Sequence, residues 1–190
     1  MPKISHPTLA EHRAAQRAAL LAAGRTVLGE AGVAGVTPRA VCELAGLARS
    51  SFYDYFATRD DLLVAVAVDA MERWDAEIEL ALRGVEPGLP RLRALIDATM
   101  SMTADGKHDI AGALRDAQLS PTRLDELMVL HETLMRPLVR VLGDLDVADP
   151  VLVGALVQGA LGAGIQSVSH GAEPGATADA LFRLVTRGLV

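Results

Sequence analysis

Residues 37–59, TPRAVCELAGLARSSFYDYFATR, decide how the chain is read. Thr37 followed by Pro38 starts a helix, because the threonine oxygen satisfies an orphan amide and proline has no amide to satisfy. Val41, Leu44 and Ala45 then recur on one helical face. Gly46 ends the helix, since glycine takes the left-handed backbone of a tight turn without strain. From Ala48 a second helix is expected to run to about Phe56. Phe52 and Phe56 pack inward from it, which leaves Arg49, Ser50, Ser51, Tyr53 and Tyr55 for another surface. Two short helices joined by a tight turn make a helix-turn-helix.

Outward from this stretch the pattern stays helical. Thr8 with Glu11 forms a capping box before an apolar-periodic run, so a first helix is expected from Leu9 to Ala31, with Arg13 and Arg17 sharing a face that is either solvated or set against a phosphate backbone. Gly32 and a short loop lead to Thr37. Thr58 with Asp61 opens a helix from about Arg59 to Arg83, striped by Leu63, Ala67, Ala70, Met71, Trp74 and Ile78. From Arg59 to Trp74 that helix covers about 22 Å, so one rod links the head to the body. The loop Gly84–Pro90 precedes a helix to about Met102 that turns Leu92, Leu95, Ile96 and Thr99 inward. A short helix over about Asp109–Gln118 follows. Ser120 and Pro121 then open another, striped by Leu124, Leu127, Met128, His131, Leu134, Met135 and Leu138 and kinked at Pro137. Asp149 and Pro150 open the next. On it Gly154, Gln158, Gly162 and Gln166 recur every four residues beside Ala155, Gly159 and Ala163, a surface that another helix backbone can approach closely. After the loop at 170–176 the last helix, Thr177–Leu189, turns Leu181, Leu184 and Val185 inward.

Composition points the same way. Hydrophobic residues make up 51% of the 190 and aromatics only 3%, so the core must be built from Ala, Leu and Val, which favours packed helices. The fold class expected is all-α. The net charge of −6 is unevenly spread: residues 1–63 carry seven Lys and Arg against six Asp and Glu, and residues 64–190 carry eleven against eighteen. That asymmetry aims the head at nucleic acid. The single cysteine, Cys42, excludes an internal disulfide and reads as a small buried residue. No secretory signal opens the chain, so a cytoplasmic location is expected. Residues 150–168 barely reach spanning length and hold Gln158, Gln166 and four glycines, which speaks against a membrane span. No HExxH, glycine-rich phosphate loop, nucleophile elbow or paired cysteines appear, so neither an enzyme nor a cofactor is expected. His108, Asp109 and Asp116 are explained by a surface helix more simply than by a metal.

Over residues 13–66 the chain resembles the tetracycline-repressor (TetR) family of bacterial transcription regulators. The resemblance rests on Leu20, Leu21, Ala23, Val27, Leu28, Gly32, Thr37, Val41, Ala45, Gly46, Leu47, Tyr53, Phe56, Arg59 and Leu62. Leu28 stands where the family usually has an aromatic, Gly24 and Cys42 where it has alanine, and Ala48 where a serine usually caps the recognition helix. It implies a three-helix DNA-binding head, residues 1–58, and a helical ligand-binding and dimerisation body, residues 59–190. It also implies that Thr37, Arg39, Tyr53, Tyr55 and Arg59 hold phosphates. Arg49 is suited to guanine O6 and N7, with Ser50 and Ser51 small enough for close approach to the groove floor.

In the family the last two helices pair with those of a second subunit, and the body encloses a pocket. The dimer contact falls here to Gly154, Ala155, Gly159, Gly162, Ala163, Leu181 and Leu184. Met71, Trp74, Met100, Met128, His131, Met135 and Gln158 either supply the adaptable apolar lining and polar groups that a pocket needs or pack as plain core, His131 included. The expected function is a ligand-responsive regulator, a repressor that binds a palindromic operator in double-stranded DNA as a homodimer and is released by a small apolar effector. A helical protein-binding adaptor is the contrasting reading, and it leaves Arg49 and the tyrosines without a purpose.

Overall fold

The computed structural model describes residues 8–106 and 136–187. Among these the chain forms helices and no strand: α1 (Leu9–Gly35), α2 (Pro38–Ala45), a 3₁₀ helix (Arg49–Asp54), α3 (Arg59–Leu82), α4 (Leu89–Ala104), α5 (Arg136–Gly143), α6 (Pro150–Ser169) and α7 (Pro174–Arg187). The helix expected at 109–118 lies outside the described residues, as does the helix expected from Ser120 up to residue 135, while its Leu138 lies buried in α5. His108, Asp109 and Asp116 also lie outside them, as does the chain preceding Pro137 that a kink there would bend.

Helix ends fall where short-range chemistry puts them. The Thr8 hydroxyl accepts from the Glu11 amide at 3.2 Å, and the Glu11 carboxylate accepts from the Thr8 amide at 2.6 Å. The same reciprocal pair opens α3, where the Asp61 amide donates to the Thr58 hydroxyl at 3.1 Å and the Thr58 amide to the Asp61 carboxylate at 2.9 Å. Asp149 caps α6 through the Leu152 amide at 3.0 Å, with Pro150 next. Two ends differ from expectation. The backbone at Gly32 (φ 63°) kinks α1, but residues 33–35 resume a helical turn instead of a loop. The last helix starts at Pro174 and not at Thr177, because the Glu173 carboxylate accepts from the amides of Gly175 and Ala176.

The chain divides into two compact units at Asp69/Ala70, so α3 contributes to both. In the first unit Leu20, Leu28, Val41, Phe52, Leu62 and Leu63 are buried together with Cys42 and Val66. Gly24 brings α1 close to α3: a Cβ there would stand 3.1 Å from Val66 Cγ2. Arg25 and Asp69 pair across the same two helices.

In the second unit α4 packs against α5, α6 and α7. Leu92, Leu95, Ile96 and Met100 meet Leu138, Val141, Val157 and Leu161 in its core. Thr99 and Thr103 are buried there without penalty, because their hydroxyls donate to the Leu95 and Thr99 carbonyls at 2.8 Å. Gly164 admits Met100, whose sulfur and methyl lie 3.2 Å from where a Cβ would stand. Arg93 bridges α4 to α7: it pairs with Asp97 at 2.7 Å and Asp179 at 2.6 Å and stacks over Phe182. Arg91 donates to Asp144 and to the Val85 carbonyl, each at 2.9 Å.

The Thr8 amide, and secondarily its hydroxyl, hold the Glu11 carboxyl below its usual range. A carboxyl lowered in the folded state supports the helix above its ordinary pKa, and that support is lost as pH falls through the lowered value. Backbone carbon shifts of residues 9–12 should therefore move toward coil only on the acid side of the usual carboxylate range. Glu11→Gln should abolish that step, and a transition at the ordinary carboxylate pKa would rule the effect out.

Candidate nucleic-acid interface

Thr37 caps α2 by accepting from the Ala40 amide at 3.2 Å, and Gly46 leaves the helix with φ 68°. The chain then enters the recognition element, which is a 3₁₀ helix of six residues, shorter and tighter than the α-helix expected from Ala48 to Phe56. Its bonds include Ser51 N to Ala48 O at 2.9 Å and Tyr55 N to Phe52 O at 3.1 Å. Ala48 supplies no side-chain cap at its start. Phe52 and Phe56 are fully or almost fully buried, with ring centroids 5.7 Å apart, and they hold the element to the head's core.

Three residues per turn sort the other side chains. Tyr55 falls in line with Phe52 and is half-buried, whereas Ser50 and Tyr53 align on a face that is exposed. Arg49 is exposed, and Ser51 is half-buried. The Tyr55 hydroxyl donates to Gln16 Oε1 at 2.6 Å, so the structure places Tyr55 against α1. Arg39 is exposed and lies 3.9 Å from Glu43; Arg59 lies 3.4 Å from Asp60 and is half-exposed. Both pairs are loose enough for a phosphate to compete with the carboxylate. The Thr37 hydroxyl accepts within its cap and keeps its own proton to donate.

Of the residues expected to bind a ligand, four lie among the described residues. Met100 is fully buried in the body core under Gly164, while Trp74 packs half-buried against that core. Met71 and Gln158 are half-buried. Met128, His131 and Met135 lie outside the described residues. A cleft of about 330 Å³ in the second unit is lined by Asp75, Glu79, Arg136, Pro137 and Arg140, none of them foreseen; Glu79 pairs with Arg140 across it. A run of acid and base on facing helices is the signal that marks it.

The residues expected at a dimer contact fall into two groups. Gly154 faces inward, 3.7 Å from Leu142 at its Cβ position, and Leu181 is buried in the body core. Four-residue spacing drifts round a helix of 3.6 residues per turn, so a stripe that starts inward at Gly154 emerges by Gly162. Ala155, Gly159, Gly162 and Ala163 are exposed, as is Leu184, and Leu152 and Leu156 extend the strip with 57% and 67% exposure. Among the described residues nothing lies within 4 Å of a Cβ at Gly159 or Gly162. By length and composition alone Pro150–Ser169 could also cross a membrane, and 28% of it is buried within the chain.

Residues 20–66 match the family model described as bacterial regulatory proteins, tetR family. No curated protein matches the chain in sequence. Among solved structures it is similar to the fatty acid degradation regulator FadR from Bacillus halodurans, with TM-score 0.78 and 18% identity over 92% of this chain and 96% of that one. It is similar to FadR from Bacillus subtilis in complex with stearoyl-CoA, with TM-score 0.78 and 16% identity over 91% and 99%. LfrR from Mycobacterium smegmatis, in complex with proflavine, has TM-score 0.66 and 22% identity over 93% and 98%. At such identities the likeness is one of fold.

Cys42 is buried on α2, and burial pushes its thiol pKa up, partly offset by a backbone hydrogen bond from Phe52. A thiol so placed is inert until the recognition element lifts away. Iodoacetamide should label Cys42 in the native protein orders of magnitude more slowly than in the unfolded chain; labelling at the unfolded rate would contradict this packing.

Proposed function

We propose, from the premise that the chain belongs to the tetR family of bacterial regulatory proteins, that it represses transcription by binding a palindromic operator as a homodimer. The observation that carries this reading is the exposed face of Arg49, Ser50 and Tyr53 on an element whose other face is anchored by Phe52 and Phe56. Arg49 reads guanine, Ser50 and Ser51 leave room at the groove floor, and Thr37, Arg39, Tyr53 and Arg59 hold phosphates. Residues 1–58 serve DNA and residues 59–190 serve the ligand and the second subunit, with Arg59 at the junction. The chain works in the cytoplasm, without catalysis, a cofactor or a membrane.

A second copy covers the exposed strip of α6 together with Leu184 of α7. Glycine in a helix interior costs about 1 kcal/mol relative to alanine, and no described residue lies within 4 Å of a Cβ at Gly159 or Gly162. Close approach by a partner helix explains that cost, and the dimer sets two recognition elements about 34–36 Å apart, one turn of DNA. The effector is a small, largely apolar molecule held in the body; the apolar acyl chain of stearoyl-CoA and the aromatic rings of proflavine, ligands in structures of like fold, support the apolar part of that reading. It releases DNA by favouring a head spacing that the operator does not match, so a bound ligand that left DNA affinity unchanged would sink the coupling.

Binding to the DNA flanking the chain's own gene tests the regulator reading. Arg49→Ala should weaken operator binding by about 5- to 150-fold, the worth of a bidentate guanine contact, with no change in thermal midpoint. Absence of specific DNA binding by a folded, ligand-free dimer would favour the protein-binding adaptor instead. Gly159→Leu and Gly162→Leu should each shift the protein from dimer to monomer in sedimentation while keeping its helix content, and an intact dimer in both would place the contact elsewhere.

A further inference from the structure

The polar face of α1 is fastened to the far end of the recognition element. Tyr55 donates its one hydroxyl proton to Gln16 Oε1 at 2.6 Å. The Arg13 guanidinium stands 5.4 Å over the Tyr55 ring and its Nη2 donates to the Asp54 carbonyl at 3.5 Å. Arg17 stands 5.7 Å over the ring of Phe56, which is itself held in the core. A phosphate oxygen only accepts, so Tyr55 cannot serve DNA while its proton serves Gln16. Arg13 and Arg17, by contrast, are exposed and have donors to spare.

Charge pairing sorts the head's arginines in the same way. Arg25, Arg39 and Arg59 each have a carboxylate partner. Among the described residues Arg13, Arg17 and Arg49 have none, and these three bracket the recognition element, Arg49 at its start and the other two at its end. Stacking on an aromatic face restrains a guanidinium without consuming its edge donors. We infer that Arg13 and Arg17 are phosphate-binding residues flanking the recognition element, and that Tyr55 is a positioning residue which acts through Gln16. This rests on the regulator reading and reassigns one of the residues that the family resemblance gives to phosphate.

The test uses the full-length protein, duplex DNA flanking its gene and a scrambled duplex of equal length, across a salt series. Arg13→Gln and Arg17→Gln should each lower the slope of log K against log salt by about 0.9, on both duplexes, because each removes one neutralised phosphate. Tyr55→Phe and Gln16→Leu should each weaken specific binding by about three- to tenfold, leave binding to the scrambled duplex and the salt slope unchanged, and be no worse combined than alone. An unchanged slope in both arginine variants overturns the phosphate assignment. Loss in Tyr55→Phe with none in Gln16→Leu overturns the positioning role; if Tyr55→Phe does not fold, full specific binding by Gln16→Leu does so alone. No DNA binding by the wild type removes this inference along with the regulator reading, whereas Arg49-dependent binding with unchanged arginine slopes removes this inference only.

Discussion

A helix of six residues cannot hold itself together in water, since nucleation costs more than so few hydrogen bonds return. The recognition element therefore depends on the burial of Phe52 and Phe56, each contributing about 1.5–3 kcal/mol on removal from water. The chain has six aromatic residues, and four of them lie between Phe52 and Phe56. That concentration places the largest side chains where the backbone is least able to support itself. The same burial leaves Ser50 and Tyr53 facing out, because a tight winding with two anchored positions has little freedom over the rest. Cys42, buried on α2, adds to the same core.

The body is built on the opposite plan. With few aromatics available it packs Leu, Ile, Val and Met around α4, and it relies on small residues to bring helices close. Glycine has two distinct uses there. Gly164 faces inward and makes room for Met100, whereas Gly159 and Gly162 are exposed, with no described residue within 4 Å of a Cβ there. The first use is explained by the packing of the body itself. Arg93 and Arg91 tie the start of α4 to its surroundings from the rim, where solvent weakens ion pairs and geometry matters more than strength.

Local rules were legible wherever neighbouring residues alone decide the outcome. Thr8 with Glu11, Thr37 with Pro38, Thr58 with Asp61 and Asp149 with Pro150 each open a helix as read, and Gly46 closes one, because a cap is a bond between residues three apart or a single backbone angle. The helical head and its inward phenylalanines follow from the same short-range pattern. Position on a helix was less legible. Gly154 turns inward although it shares a spacing with the exposed Gly162, and Leu184, expected inward, is exposed, since periodicity says which residues lie together and not which side of the bundle they meet. Glu173 started the last helix early because carboxylate capping competed with the turn signal of the adjacent glycines.

The sequence by itself determined the all-α class, most helix starts, the helix-turn-helix and the residues that anchor it, all of which depend on contacts within a few positions. Only the tertiary structure decided that the recognition element winds as a 3₁₀ helix, that Tyr55 gives its proton to Gln16, and that Arg13 and Arg17 lie over the rings at its end. Those contacts join residues some forty positions apart. No local propensity encodes them, because they come into being only when α1 and the recognition element are brought together on a shared core.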